Sequence, residues 1–148
     1  ALAIREDQIG KAHTFTQLAH IDLADVILRQ GRLADARAAF EEALDILRAN
    51  GDGEHPTAAQ ALTGLGQAAL AEGRSADAVE LLEQAITMTE ASIGRDHLDN
   101  VNRRLLLADA YEAGGDTERA AALRASAIAA RAGILADWNA ALATSHAQ

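Results

Sequence analysis

The sequence predicts an all-α fold in which helical hairpins stack into an α–α superhelix. Three observations carry that prediction. A turn-and-helix stretch recurs at one fixed spacing: Gly31-Arg32-Leu33-Ala34-Asp35-Ala36, then Gly73-Arg74-Ser75-Ala76-Asp77-Ala78, then Gly115-Asp116-Thr117-Glu118-Arg119-Ala120, each 42 residues after the last. A constant period in this range is the mark of stacked supersecondary units. Alanine makes up about a quarter of the 148 residues, and proline occurs once. Alanine is the best helix former and proline the worst. Apolar residues recur at helical spacing, and almost nothing alternates as a β-branched strand would.

In chain order, the period defines three complete hairpins. Ala1, Ala43, Ala85 and Ala127 share one column, and Leu2, Leu44, Ile86 and Ile128 the next. Residues 1–9 are therefore expected to be the end of a truncated repeat's second helix, a partial N-terminal helix. The opening in helical register, without a Met, predicts a piece excised from a longer protein.

The first hairpin is expected over residues 14–49. Leu18, Ile21, Leu23, Ala24, Ile27 and Leu28 lie on its first helix, and Ala36, Phe40, Ala43, Leu44 and Leu47 on its second. Gly31 stands where a helix closes in the left-handed conformation. Asn50-Gly51-Asp52-Gly53 is the strongest break.

The second hairpin is expected over residues 56–91, with Pro56 in the first helical turn. Thr14-x-x-Gln17 and Thr57-x-x-Gln60 have the form of capping boxes. The third hairpin is expected over 98–132, with its turn at Gly114-Gly115. Ile134, Leu135, Trp138, Ala141 and Leu142 then predict a C-terminal capping helix over 134–146, either a separate terminal helix or an extension of the preceding one, with Trp138 packed over the last hairpin.

Composition narrows the function. The formal net charge is −9, which repels phosphate backbones, and the basic residues form no stripe, so no nucleic-acid partner is expected. No apolar run approaches the ~20 residues that span a bilayer, so no membrane contact is expected. There is no cysteine, hence no disulfide, thiol nucleophile or cysteine zinc site, which fits a cytoplasmic protein. Lys11 is the single lysine among 13 basic residues. This Arg-over-Lys, Ala-rich usage suggests a GC-rich bacterial genome.

Small residues recur where helices must approach closely: Ala24, Gly66 and Ala108 on the first helices, and Ala36, Ala78 and Ala120 on the second. Leu23, Leu65 and Leu107 precede the first set, and Phe40 and Leu82 fill a large slot of the second helix. This pattern resembles the tetratricopeptide repeat. The 42-residue period is similar to the longer kinesin-light-chain type, through Ala1-Leu2-Ala3-Ile4-Arg5-Glu6, Glu54-His55-Pro56, Asp96-His97 and Leu107-Ala108-x-x-Tyr111.

The resemblance implies a non-catalytic interaction module whose first helices line a concave groove for a peptide or partner protein. Bacterial arrays of this kind often belong to larger signalling proteins, such as Ser/Thr kinases or transcriptional regulators. Carried over residue by residue, the groove positions of the first hairpin are Leu18, Ile21, Asp22, Asp25, Leu28 and Arg29. Those of the second are Gln60, Thr63, Gly64, Gln67 and Leu70. Those of the third are Asn102, Leu105, Leu106, Asp109 and Glu112. The family often has Asn where Asp22, Gly64 and Leu106 stand; none is Asn here. A mixed apolar and acidic groove favours a basic or amphipathic partner. An array cut before its first repeat leaves the apolar face of residues 1–9 without a partner helix, which also predicts self-association as a homodimer.

Other motifs point to structure rather than chemistry. His13, His55 and His97 recur at the same period, but equivalent residues of stacked hairpins stand roughly 10 Å apart, whereas zinc ligands all lie about 2 Å from one ion. They are expected to serve where helices start, and no metal is predicted. Gly64-Leu65-Gly66-Gln67-Ala68-Ala69 imitates a dinucleotide fingerprint without the preceding strand that the fingerprint needs, so no cofactor is predicted. Glu41-Glu42 and Asp22 with Asp25 read as solvated helix faces rather than acid–base pairs. No catalytic residues are expected.

Overall fold

The computed structural model describes residues 2–147, and the side chains of residues 13–147. Six helices follow one another: α1 (Leu2–Arg29), α2 (Leu33–Ala49), α3 (Pro56–Ala71), α4 (Ser75–Ile93), α5 (Leu98–Ala113) and α6 (Thr117–His146). No strand occurs among the described residues. Each helix packs on the next. In addition α1 touches α3 and α3 touches α5, while the second helices α2, α4 and α6 do not touch one another. The first helices therefore lie along the closed, concave side of the stack, and the second helices along its open side.

The alanine columns explain how the rods nest. Ala24, Ala36, Ala78, Ala85, Ala108 and Ala127 are fully buried, as are Ala43 and Ala120 within a per cent, and Gly66 is buried with them. A methyl-sized side chain at each crossing lets two helix backbones approach within packing distance. Gly66 goes further: a Cβ there would lie 2.8 Å from the Leu82 Cγ. The larger side chains fill what remains, with Phe40, Leu47, Leu62 and Leu82 at 2 % exposure or less.

The hairpin turns are alike. The Gly31 N–H bonds the Leu28 carbonyl at 2.9 Å and the Arg32 N–H bonds the Ile27 carbonyl at 3.3 Å; the same pair recurs at Gly73 with Arg74 and at Gly115 with Asp116. This is the Schellman closure, which needs a left-handed residue. The three glycines supply it, with φ of 78°, 78° and 89°.

Three expectations need correction. The first is the break before Thr14: α1 runs unbroken from Leu2. Its stretch Gln8–His13 has one glycine and no proline, a cost of about 1 kcal/mol that a long helix absorbs. The side chains of residues 1–9, where Ala1 and Leu2 begin their columns, lie outside the described residues. The second is the capping boxes. The cap of α3 is His55, whose Nδ1 accepts from the Thr57 N–H at 3.2 Å. Thr14 lies inside α1 and its hydroxyl donates to Asp52 Oδ2 at 3.0 Å.

The third is the packing of Trp138 as a cap; of the two forms open for residues 134–146, the chain takes the extension. Residues 134–146 continue α6 without a turn, and Trp138 is 61 % exposed. The matching stretches of the two preceding hairpins break at Gly51 and Gly94, both with positive φ; Ile134–Asn139 contains neither glycine nor proline. A 30-residue helix is about 45 Å long against about 24 Å for the 16 residues of α5, so α5 cannot cover the far half of α6.

Candidate partner-binding groove

On the concave side, α1, α3 and α5 enclose a recess of about 190 Å3 lined by Ile21, Asp22, Asp25, Phe40, Gln60, Thr63, Gly64, Gln67 and Arg103. Seven of these were expected from the sequence as groove positions. Their convergence follows from helix geometry. Residues three and four apart share a face, so Ile21, Asp22 and Asp25 present one side of α1, and Gln60, Thr63, Gly64 and Gln67 one side of α3.

Gly64 makes the recess possible. A Cβ there would stand 2.3 Å from the Phe40 Cζ and within 2.7 Å of two more ring atoms. The aromatic ring therefore occupies the side-chain space of Gly64, and the groove floor at that point is backbone and ring.

The remaining expected positions stand differently. Leu28 and Leu70 are half-buried and pack against the cores around Leu44 and Leu82; Leu106 does the same on α5. Leu18 and Leu105 are half-buried. Arg29 pairs with Asp25 at 2.6 Å. On the third hairpin the polar positions are engaged by α6. The Asn102 Oδ1 accepts from Arg131 Nη2 at 2.9 Å, while Asp109 and Glu112 both take Arg124 Nη2, Asp109 at 2.8 Å. Hydrogen bonding from Arg124 holds the Glu112 carboxyl below the usual carboxylate range. Of the four acidic groove residues, only Asp22 has no ion pair among the described residues.

Two adjacent arginines of α5 are buried, and the sequence reading passed over both. Arg104, 3 % exposed, ties α5 to its surroundings: Nη1 donates to Ser126 Oγ at 2.8 Å, and Nη2 reaches the Arg95 carbonyl at 3.1 Å and Asp96 at 3.4 Å. Arg103, 5 % exposed, turns towards the recess. Its Nε donates to Thr63 Oγ1 at 2.9 Å, and its Nη1 to Asn100 Oδ1 at 3.0 Å and Thr89 Oγ1 at 3.3 Å. Burial pushes the guanidinium below its ordinary value, against the opposing field of Asp99. The signal was a broken column: Ala19 and Ala61 precede Arg103 at the period, so a small position has become the largest cation.

The histidines serve helix starts, two of three. His97 Nδ1 accepts from the Asp99 N–H at 3.2 Å, as His55 does on α3; His13 lies exposed within α1. Among the described residues no three His, Asp or Glu side chains converge as metal ligands. No described helix is long and apolar enough to cross a membrane.

A stack of antiparallel helix pairs with alanine crossings and a concave face of first helices defines a helical-repeat protein. The sequence profile described as "Tetratricopeptide repeat" matches residues 15–91, and the chain belongs to that family. Among solved structures, a protein from Podosopora anserina, described as a kinesin light chain with nearly identical TPR-like repeats, superposes with a TM-score of 0.69 at 27% identity, covering 77% of this chain and 54% of that one. Its Q17M variant gives a TM-score of 0.71 at 27% identity over 81% and 57%. The TPR domain of Arabidopsis FLU gives 0.66 at 21% identity over 81% and 95%, a likeness of fold. The chain thus spans about half the length of the kinesin-light-chain-like array. A comparison with curated proteins found no match.

Proposed function

We propose that this segment is a non-catalytic interaction module that holds a peptide or partner protein in the concave groove between α1, α3 and α5. The observation that carries the reading is the recess itself, where residues of two first helices and one buried cation of the third converge around a floor opened by Gly64. A site of this kind offers shape and a few fixed polar groups, which suits recognition. No pair of groups in it has the arrangement of a nucleophile and base. The partner is amphipathic, with basic character directed at Asp22, the groove acid without an ion pair.

The wider setting belongs to the same proposal. The segment is the regulatory or scaffolding part of a larger bacterial signalling protein, for instance a Ser/Thr kinase or a transcriptional regulator. Arg-over-Lys usage supports the bacterial setting, and a solved array of which this chain covers 54% supports a longer parent. A cysteine-free chain suits the cytoplasm.

The test is selection of binders from a random peptide library, followed by Asp22→Lys and Gln67→Arg variants. Loss of binding in both, with unchanged circular dichroism, supports the groove. Selected peptides that bind both variants as well as the wild type would place recognition elsewhere.

A second reading, homodimerisation, is favoured by one observation. Ile128, Leu135 and Trp138 on α6 are 62 %, 57 % and 61 % exposed, and Phe15 and Leu23 on α1 are 70 % and 59 % exposed. Exposed apolar faces of this kind pair readily. Trp138 is the single tryptophan, so a concentration-dependent blue shift of its fluorescence reports association at α6. Light scattering at one protomer mass across concentrations removes this reading.

A further inference from the structure

The face that α6 turns to α5 does not stop where α5 stops. Ala120, Arg124, Ala127 and Arg131 follow one another at spacings of four, three and four, and this stripe packs on α5. The two alanines are buried, Arg124 holds Asp109 and Glu112, and Arg131 holds Asn102. The same rhythm then gives Leu135, Trp138 and Leu142, on the same side of the helix, in the spacing of a coiled-coil seam. But α5 is the only described element that α6 packs on, and it begins at Leu98. The three side chains are therefore 57 %, 61 % and 39 % exposed.

The opposite side of this half is small, with Gly133, Ala136, Ala140 and Ala143. Alanine keeps the stretch helical, but it gives no reason for large apolar side chains to face water in a row. Together with Ile134, 37 % exposed, they leave on the order of 400 Å2 of apolar surface open. Two copies face to face would bury about twice that, with the backbone and alanines between, which reaches the ~1,000 Å2 at which specific interfaces begin. Asp137 is the one carboxylate between residues 134 and 146, and it lies off the stripe, so a second copy buries no charge.

The position of α5 dictates the orientation. It stands on the side of α6 that the stripe faces, so a second copy running parallel would bring its own α5 into the same place. Running antiparallel, the second α6 takes the space that continues the line of α5 and keeps the two bodies at opposite ends. The uncovered half, 134–146, has its midpoint at Ala140. A two-fold axis at that level sets Trp138 opposite Leu142 of the partner subunit and Leu135 opposite Ser145 of the partner subunit, each pair occurring twice.

We propose that the chain forms a two-fold dimer in which the uncovered halves of α6 pair antiparallel, each doing for the other what α5 does for the first half of the helix. The proposal rests on the homodimer reading and sharpens it: the contact is α6 with α6, and Phe15 and Leu23 of α1 take no part. Both concave recesses stay open, so the dimer presents two grooves to a partner.

The chain has no cysteine, so single introduced cysteines report the geometry. In the antiparallel pair the two copies of residue 141 stand two residues apart along the axis, about 3 Å, and those of residue 145 ten residues apart, about 15 Å. Both positions are exposed. Ala141→Cys is expected to cross-link with a two-carbon bismaleimide, and Ser145→Cys is not. Light scattering of the cysteine-free protein should rise from one protomer mass towards two with concentration. Trp138→Glu should hold it at one with circular dichroism unchanged, and Phe15→Ser with Leu23→Ser should leave the rise as it is. Equal cross-linking at both positions would overturn the antiparallel pairing, and a dimer cross-linked at neither would overturn the α6 contact. Association that survives Trp138→Glu but is lost in the α1 variant would overturn the proposal and leave the homodimer reading standing. One protomer mass at every concentration would overturn both.

Discussion

Replacing Gly64 by alanine tests whether the Phe40 ring truly occupies the glycine's side-chain space. Helix propensity alone makes Gly→Ala favourable by about 1 kcal/mol in a helix interior. The structure opposes this. The new methyl would meet three ring atoms at 2.3, 2.4 and 2.7 Å, where ordinary carbon contact is about 3.5–4 Å. The ring would have to retreat by more than 1 Å, yet Phe40 is 1 % exposed, at the centre of the core around Leu44 and Leu62. Overpacking of this kind costs about 1–3 kcal/mol, and a fixed ring with no free volume places it at the upper end. The balance is a loss of about 2 kcal/mol, equivalent to a Tm lower by roughly 4–8 °C for a chain of this size. Urea unfolding followed by far-ultraviolet circular dichroism measures it. Adding Phe40→Leu should recover part of the loss, because a smaller side chain vacates the contact. A Gly64→Ala protein as stable as the wild type, or more stable, would refute the packing described for this floor.

Gly133→Ala is the opposite case: nothing lies within 4 Å of the added methyl on α6, so the same denaturation measurement should show a gain of up to about 1 kcal/mol. Leu23 and Leu65 share a column but are 59 % and 6 % exposed; Leu65→Ala should cost about 2–5 kcal/mol and Leu23→Ala under about 0.5. Tyr111 is the single tyrosine, and its hydroxyl donates to Glu83, with burial as the second influence, so its pKa is raised. That contribution to stability is complete below the ordinary tyrosine value and is lost as pH rises through the raised one. Ultraviolet titration of the phenolate should give a midpoint above about 10, and Glu83→Gln should bring it down.

The architecture was legible because it is written as a translation along the chain. Ala36, Ala78 and Ala120 are buried for the same reason, and reading one column reads all its members. Gly31, Gly73 and Gly115 were legible because a left-handed helix closure leaves few choices of residue. Helix ends that depend on missing punctuation were harder. Ile134–Asn139 lacks any breaker, and composition alone did not decide between a separate terminal helix and an extension of α6. At α3, Thr57 and Gln60 imitated a capping box, while His55, one position before Pro56, took the cap. In the groove, the faces of α1 and α3 followed from helical spacing. The engagement of Asp109 and Glu112 by Arg124 did not, because it depends on how α6 lies across α5. Arg103 could be found only as an exception to its own column.

Among the described residues, the hydrogen bonds observed between side chains of different helices reach no further along the chain than the 40 residues from Thr63 to Arg103, just under one period. Among the described residues, no unit is therefore tied to a distant one except through the units between. Copying or deleting one unit at its glycine turn would leave every bond outside its two borders intact. Such a molecule can lengthen or shorten by duplication, one hairpin at a time, while its existing rows keep their form.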